Sequence, residues 1–284
     1  MKAFLNSRPW LILEPIFLLI IFGLLASHLV PFSGVEVGAA DLALLQSPPD
    51  WGALALIEGK SQGIKWGLLL AAAWLLARMR GYRLTKPINV EGPFLSVGQL
   101  LLFGFAIAVP LYLVAILPRW YHFRIALLGE APPIWNLIYG ADWTFEFWLF
   151  MAIGSFALIP IVEELFFRGY FLGSLNRRLS AVWAVTLSAV VFALVHLQYV
   201  SADFFALYNL AAVFLVGLVY AWSVYFTRSL LPAITGHTFG NLPQPLEWVP
   251  YEVGLLVPAV ALLVWLVPRA RTAPWLVPPS ATAS

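Results

Sequence analysis

The sequence predicts an all-α, polytopic membrane protein of about eight spanning helices, with both termini in the cytoplasm. Of its 284 residues, 62% are hydrophobic and only 11% are charged, whereas soluble domains carry about 25% charged residues. So few charges cannot cover the surface of a soluble domain, and a disordered chain would contain few apolar residues. A spanning helix needs about 20 apolar residues, so eight such helices account for the apolar content and leave short loops.

Apolar runs place the eight predicted spans along the chain. The first run follows Lys2 and Arg8 and resembles a signal peptide, but its length predicts a span that is retained. The seventh run is short and polar for a span. In chain order, the predicted spans are residues 11–30, 64–79, 93–117, 143–167, 182–197, 204–226, 230–242 and 253–267.

The distribution of Lys and Arg predicts which ends of the spans face the cytoplasm, because these residues are enriched in cytoplasmic loops. With the N-terminus inside, only Lys60, Lys65, Arg119 and Arg124 fall outside. The inside set is larger: Lys2, Arg8, Arg78, Arg80, Arg83, Lys86, Arg177, Arg178, Arg228, Arg269 and Arg271.

The spans divide the chain into three predicted parts. Residues 1–144 hold the N-terminal spans and two long outer loops, 31–63 and 118–142, either of which has room for an interfacial helix. Residues 145–267 hold the polar motifs described below. Residues 268–284 have the Pro, Ser and Thr content of a disordered tail.

Two global counts exclude other kinds of function. A net charge of +2 gives no clustered basic surface, so nucleic-acid binding is not predicted. The absence of Cys excludes disulfides, Cys-ligated zinc and a Cys nucleophile.

Polar side chains interrupt three of the predicted spans. Ionisable residues at membrane depth are costly and are commonly functional. These residues are therefore the candidate functional groups: Glu163, Glu164 and Arg168 in the fourth span, His196 in the fifth, and His237 and Asn241 in the seventh.

Helix geometry separates the two glutamates. Glu164 and Arg168 are four residues apart, so they share a helix face and can pair. Glu163 is turned about 100° away from Glu164 and faces a different space. This arrangement favours Glu163 as a general base, although a structural pair of carboxylates held by Arg168 is the alternative.

The predicted hairpin between the fourth and fifth spans brings Glu163 and His196 to the same depth. If the chain turns near Leu179 and Ser180, both residues lie about 24 Å from the turn at 1.5 Å per residue. His237 lies roughly 14 Å past Arg228 by the same rise, and Asn241 shares its helix face. Two His, an Asn and a Glu within reach on three helices favour a functional site over buried structural polar groups.

The three motifs, in this order, resemble the signature of a protease family. They read Glu163-Glu164-x-x-x-Arg168, Phe192-x-x-x-His196 and His237-x-x-x-Asn241. This is the CPBP family (CAAX protease and bacteriocin-processing), also called the type II CAAX prenyl protease-like or Abi family of intramembrane proteases. The resemblance covers about residues 145–250, so it implies a CPBP-type protease core within residues 145–267.

The resemblance implies a role for each motif residue. Glu163 and His196 match the residues that activate a water molecule, and His237 and Asn241 match those that stabilise the oxyanion. Glu164 and Arg168 match positions with an orienting role. Ser155 is not a predicted nucleophile, because no Gly-x-Ser-x-Gly motif surrounds it.

No cofactor is predicted, although zinc remains the alternative. The family was long labelled as metalloproteases, and Glu163, His196 and His237 would supply three ligands, as catalytic zinc sites require. The sequence has no His-Glu-x-x-His pair, which favours a metal-independent glutamate mechanism.

The predicted function is that of an intramembrane endopeptidase of a prokaryotic plasma membrane. Its partners would be the bilayer and a membrane-associated protein or peptide, such as a C-terminal sorting tail, a bacteriocin leader, a membrane-bound regulator or, less expected, a prenylated CAAX peptide. One alternative is a non-catalytic chaperone or immunity protein of the same family. A proton-coupled transporter is another, but it would place motif pairs in both halves of the chain.

Overall fold

A computed structural model describes residues 7–32, 49–87, 95–114, 120, 143–196, 204–242 and 249–270. Of these described residues, 86% are helical and none forms a strand. The predicted all-α fold class is therefore confirmed.

Eight helices in the described part of the chain correspond to the eight predicted spans. The motif residues lie in, or directly after, three of them. In chain order the helices are α1 Arg8–Phe32, α2 Trp51–Met79, α3 Val97–Val114, α4 Phe145–Leu175, α5 Ala181–Leu194, α6 Phe204–Thr227, α7 Leu231–Gly240 and α8 Val249–Ala270.

Five of these helices are long and apolar enough to cross a membrane: α1, α3, α4, α6 and α8. Helix α5 is apolar but shorter. Helix α7 has 10 residues, about 15 Å at 1.5 Å per residue, which is half the thickness of the hydrocarbon core. The protein is thus a multi-pass membrane protein, whereas eight full spans and cytoplasmic termini stay predictions.

Several predicted span boundaries are wrong. Helix α2 begins at Trp51, within the outer loop predicted for residues 31–63, because Asp50 Oδ1 accepts a hydrogen bond from Ala53 N at 2.9 Å and caps the helix. Helix α4 continues to Leu175, beyond the predicted end at 167. Helix α8 continues to Ala270, beyond the predicted end of the last span at 267. The rest of the predicted tail, 271–284, and most of the outer loop 118–142 lie outside the described residues.

Helix α4 contains two π-helical turns, Ala152–Phe156 and Leu165–Phe171. At the first, Ala157 N donates to Ala152 O at 3.0 Å, which is the five-residue spacing of a π turn. Such turns are rare and occur mostly at functional sites. Pro160, a residue type that can kink a helix, lies three residues beyond the break at Ala157.

A buried polar cluster joins the N-terminal helices to α4. Glu14 of α1 forms an ion pair with Arg80, which follows α2, and Tyr170 of α4 also donates to Glu14. Arg80 Nη1 donates to Tyr170 Oη at 2.9 Å and to Ser174 Oγ at 3.2 Å. Glu14, which no motif accounts for, is therefore the partner of a buried cation.

Tyr82, in the loop after α2, completes this cluster. Its hydroxyl donates to the carbonyl oxygen of Tyr170 at 2.9 Å and lies 2.7 Å from Ser174 Oγ. Burial raises the pKa of Tyr82 to about 12, so the hydroxyl keeps its proton at neutral pH. The loop is thereby fixed to the same stretch of α4 that carries Arg168.

Removing Glu14 is expected to destabilise the fold strongly. In Glu14→Ala the Arg80 side chain, 2% exposed, loses its counter-charge, and breaking a buried pair in this way costs about 3–5 kcal/mol. The measurement is the free energy of unfolding in detergent micelles. The double variant Glu14→Met with Arg80→Met should be more stable than Glu14→Ala, because it buries no unpaired charge. Equal stability of Glu14→Ala and the unchanged protein would contradict the assignment.

Candidate active site

Three helices bring Glu163, His196 and His237 together. Glu163 Oε2 lies 4.0 Å from His196 Nε2 and 3.9 Å from His237 Nε2. The hairpin geometry predicted equal depth for Glu163 and His196, and the structure places His237 beside them around one small space. Glu163 Oε2 is buried and has no hydrogen-bond partner among the described residues.

The second glutamate is committed to a buried ion pair. Arg168 Nη1 donates to Glu164 Oε1 at 2.8 Å, and both side chains are fully buried. Glu164 Oε1 also lies 2.9 Å from His237 Nδ1. Four-residue spacing predicted the first contact, whereas the second joins α4 to α7 and had no signal in the sequence.

Helices α5 and α6 enclose the Arg168 side chain. Its Nη2 donates to the carbonyl oxygen of Gly217 at 3.0 Å, and its guanidinium carbon lies 4.2 Å from the centre of the Phe192 ring. A Cβ at Gly217 would lie 3.1 Å from Phe192 Cδ1 and 3.3 Å from Ala189 Cα. The glycine therefore allows the two helices to close around the cation.

His196 lies just beyond the end of α5 at Leu194, where its ring is oriented by the backbone. Its Nδ1 is 2.6 Å from the carbonyl oxygen of Phe192. A carbonyl only accepts hydrogen bonds, so Nδ1 carries the proton and, in the neutral ring, Nε2 faces Glu163 as an acceptor. The Phe-x-x-x-His spacing thus fixes the orientation of the ring.

Close packing of α3 against α7 sets the position of His237. A Cβ at Gly104 would lie 2.5 Å from Thr235 Cβ and 2.7 Å from the carbonyl oxygen of Pro232. A Cβ at Gly236 would lie 3.2 Å from the carbonyl oxygen of Gly104. Since neither position admits a side chain without movement, the two helices cross at their glycines, one residue before His237.

Asn241 is the C-terminal cap residue of α7 and contacts α4 at a point that the motifs did not indicate. Its Nδ2 donates to the carbonyl oxygen of Ser155 at 3.1 Å. In return, Ser155 Oγ donates to the carbonyl oxygen of Asn241 at 2.8 Å. Ser155 is therefore a site residue that sequence reasoning discounted, because it was considered only as a nucleophile.

The alternative zinc site does not fit the side chains as they are placed. Two ligand atoms about 2.0–2.1 Å from a tetrahedral zinc lie roughly 3.4 Å apart, whereas Glu163 Oε2 is 3.9 and 4.0 Å from the two imidazole nitrogens. Within the described residues, no group of three His, Asp or Glu side chains is arranged to hold a metal ion. The ion therefore plays no part in the mechanism proposed below.

The fold and this cluster define a class: a multi-pass, all-helical membrane protein with a partly buried site of Glu, His and Asn side chains. Residues 145–243 match the family model described as "Rce1-like: Type II CAAX prenyl endopeptidase Rce1-like". This segment therefore belongs to the Rce1-like group of the CPBP family, which is generally a family of membrane proteases. The match includes every motif residue and leaves residues 1–144 outside. No curated protein and no solved structure matches the chain.

A methyl group at Gly104 is expected to disturb the α3–α7 crossing. Overpacking of this kind typically costs about 1–3 kcal/mol, so Gly104→Ala should lower the free energy of unfolding in detergent by that amount. The matched control is Gly98→Ala in the same helix, where a Cβ meets nothing within 4 Å. There the change should be neutral or stabilising by up to about 1 kcal/mol. Equal effects at the two positions would show that the crossing is not tight.

Proposed function

We propose that the protein is an intramembrane endopeptidase that hydrolyses a peptide bond of a membrane-associated protein or peptide. In this proposal Glu163 and His196 activate a water molecule, and His237 and Asn241 stabilise the oxyanion. Glu164 and Arg168 orient the site. The proposal rests on the Rce1-like segment and on the geometry of these six residues.

One observation carries the proposal: the buried Oε2 of the partly exposed Glu163 side chain faces two imidazole nitrogens at 3.9 and 4.0 Å. Polar atoms at that separation are too far apart for a direct hydrogen bond, but a water can bridge them. A water held between Glu163 and His196 has a base within hydrogen-bond reach, which general base catalysis requires. Its oxygen would attack the scissile carbonyl while the proton passes to Glu163.

The pairing of His237 with Glu164 supports its proposed role. The Glu164 carboxylate accepts from His237 Nδ1, which fixes the ring so that Nε2 lies 3.9 Å from Glu163 Oε2. In the doubly protonated ring, Nε2 would donate to the tetrahedral oxyanion, as fixed donors do in other acyl-transfer sites. Glu163 would then return the proton to the leaving amine, so that each carboxylate has its own task.

The substrate, the organism and the membrane remain parts of the proposal. We expect a multi-pass protein of a prokaryotic plasma membrane and a substrate among a sorting tail, a bacteriocin leader, a membrane-bound regulator and a prenylated CAAX peptide. The first experiment is therefore to reconstitute the full chain in liposomes with a peptide of each class and to detect cleavage by mass spectrometry.

Loss of the base should abolish cleavage without loss of the fold. Glu163→Gln and His196→Ala should each lower kcat by at least about 10²–10⁴-fold, the usual contribution of general acid–base catalysis. The measurement is the cleavage rate of whichever peptide the unchanged protein cleaves. Glu146→Gln, which alters an exposed glutamate in the first turn of α4, is the control and should retain full activity. Cleavage by Glu163→Gln at the rate of the unchanged protein would contradict the proposed mechanism.

Metal removal should leave the rate unchanged. Because the proposed mechanism uses only side chains, incubation with EDTA or dipicolinate should not alter kcat or KM in the same liposome assay. A loss of activity that zinc restores would overturn the metal-free mechanism and assign Glu163, His196 and His237 as ligands.

A further inference from the structure

Ser155 and Asn241 hold each other through two reciprocal hydrogen bonds. Ser155 Oγ donates to the carbonyl oxygen of Asn241 at 2.8 Å, and Asn241 Nδ2 donates to the carbonyl oxygen of Ser155 at 3.1 Å. Each residue therefore uses both its side chain and its backbone in the pair. This arrangement fixes the backbone position of Asn241 and the direction of its amide together.

The backbone of α4 is unusual where it makes this contact. Ser155 lies in the π turn Ala152–Phe156. This turn ends at a break at Ala157, whose φ of −115° and ψ of −66° depart from those of a regular helix. Helix α2 also packs against the turn, since a Cβ at Gly154 would lie 3.3 Å from Glu58 Cγ. The turn thus contacts both α2 and α7.

The last turn of α7 also touches other helices, but those contacts do not orient the Asn241 side chain. Tyr112 of α3 donates to the carbonyl oxygen of Phe239. Tyr220 of α6 places its hydroxyl 3.2 Å from where a Cβ of Gly240 would lie. Among the residues that the structure describes, Ser155 is the one that binds both the amide group and the backbone of Asn241.

The hydroxyl of Ser155 is not arranged as a nucleophile. A nucleophilic serine donates its proton to a general base, whereas Ser155 Oγ donates to a backbone carbonyl oxygen. The amide of Asn241 has two N–H donors, and the bond to Ser155 uses one of them. The second donor is then held in a fixed direction, which a preorganised oxyanion site requires.

We infer that Ser155 is a positioning residue that holds Asn241 ready to donate to the oxyanion. The inference rests on the proposed endopeptidase function, because Asn241 acts on the oxyanion only if that reaction occurs. Ser155 itself touches neither the substrate nor the water. It acts through Asn241, and removal of its hydroxyl should therefore matter only while the Asn241 amide is present.

A double-mutant cycle tests this dependence in the liposome assay. Ser155→Ala should lower kcat by about tenfold and leave KM unchanged, a smaller loss than the roughly 10²–10³-fold of a missing oxyanion donor. Ser155→Thr, which keeps the hydroxyl, should retain most of the activity. In the Asn241→Ala background, adding Ser155→Ala should change kcat no further, because the group that it positions is already gone.

Two results would overturn the inference. One is a Ser155→Ala variant with unchanged kcat. The other is an equal loss in both backgrounds, which a general effect of Ser155 on the fold would produce. The melting temperature of each variant in detergent shows whether an equal loss of kcat is due to loss of folded protein.

Cysteine cross-linking tests the contact without any activity. The chain has no Cys, so Ser155→Cys with Asn241→Cys introduces the only two thiols, and oxidation should join them efficiently. Ser155→Cys with Ala233→Cys is the matched control, since Ala233 lies about 12 Å earlier along α7 and should not cross-link. No cross-link in the first pair would overturn the inference even if the protein cleaves peptides. If the cysteine pair cross-links but the unchanged protein cleaves none of the peptide classes, the proposed function is overturned, and with it the role of the pair.

Discussion

The fully buried guanidinium of Arg168 is the constraint on which the centre of the structure depends. An isolated charge is very costly in an apolar interior, so every neighbouring element must supply a partner. Glu164 supplies the counter-charge at 2.8 Å, Gly217 supplies a carbonyl oxygen at 3.0 Å, and the face of the Phe192 ring lies 4.2 Å away. These partners come from α4, α6 and α5, so solvating one cation fixes three helices relative to one another.

That constraint also determines which glutamate is free to react. Glu164 is bound to Arg168 and to His237 Nδ1, so its charge is committed to structure and to orientation of the ring. Glu163, one residue earlier, keeps a buried oxygen that has no hydrogen-bond partner in the described part of the chain. Adjacent carboxylates on a helix are turned by about 100°, and this rotation alone gives them different environments. This difference allows Glu163 to act as the base and Glu164 to orient the site in the proposed mechanism.

Spacing within a helix was the part of the site that the sequence could predict. Spacing predicted the Glu164–Arg168 pair and the separate face of Glu163. Equal distance from the turn between α4 and α5 predicted that His196 approaches Glu163. Neither could predict the link from Glu164 to His237 or from Ser155 to Asn241, because both links join helices that are distant in the sequence. The π turns of α4 could not be predicted either, since Pro160 is the one local residue that indicates a distortion.

The place of the site in the fold follows from where α5 and α7 stop. The last carbonyl groups of a helix have no partner within it, and such groups are costly at membrane depth unless the protein satisfies them. At the end of α5, Phe192 O accepts from His196 Nδ1. At the end of α7, Asn241 O accepts from Ser155 Oγ. The hydrogen bonds that satisfy these two helix ends also orient the His196 ring and fix the backbone position of Asn241. Stability and preorganisation are therefore coupled at these positions, because a change that frees a helix end also loosens a residue of the site.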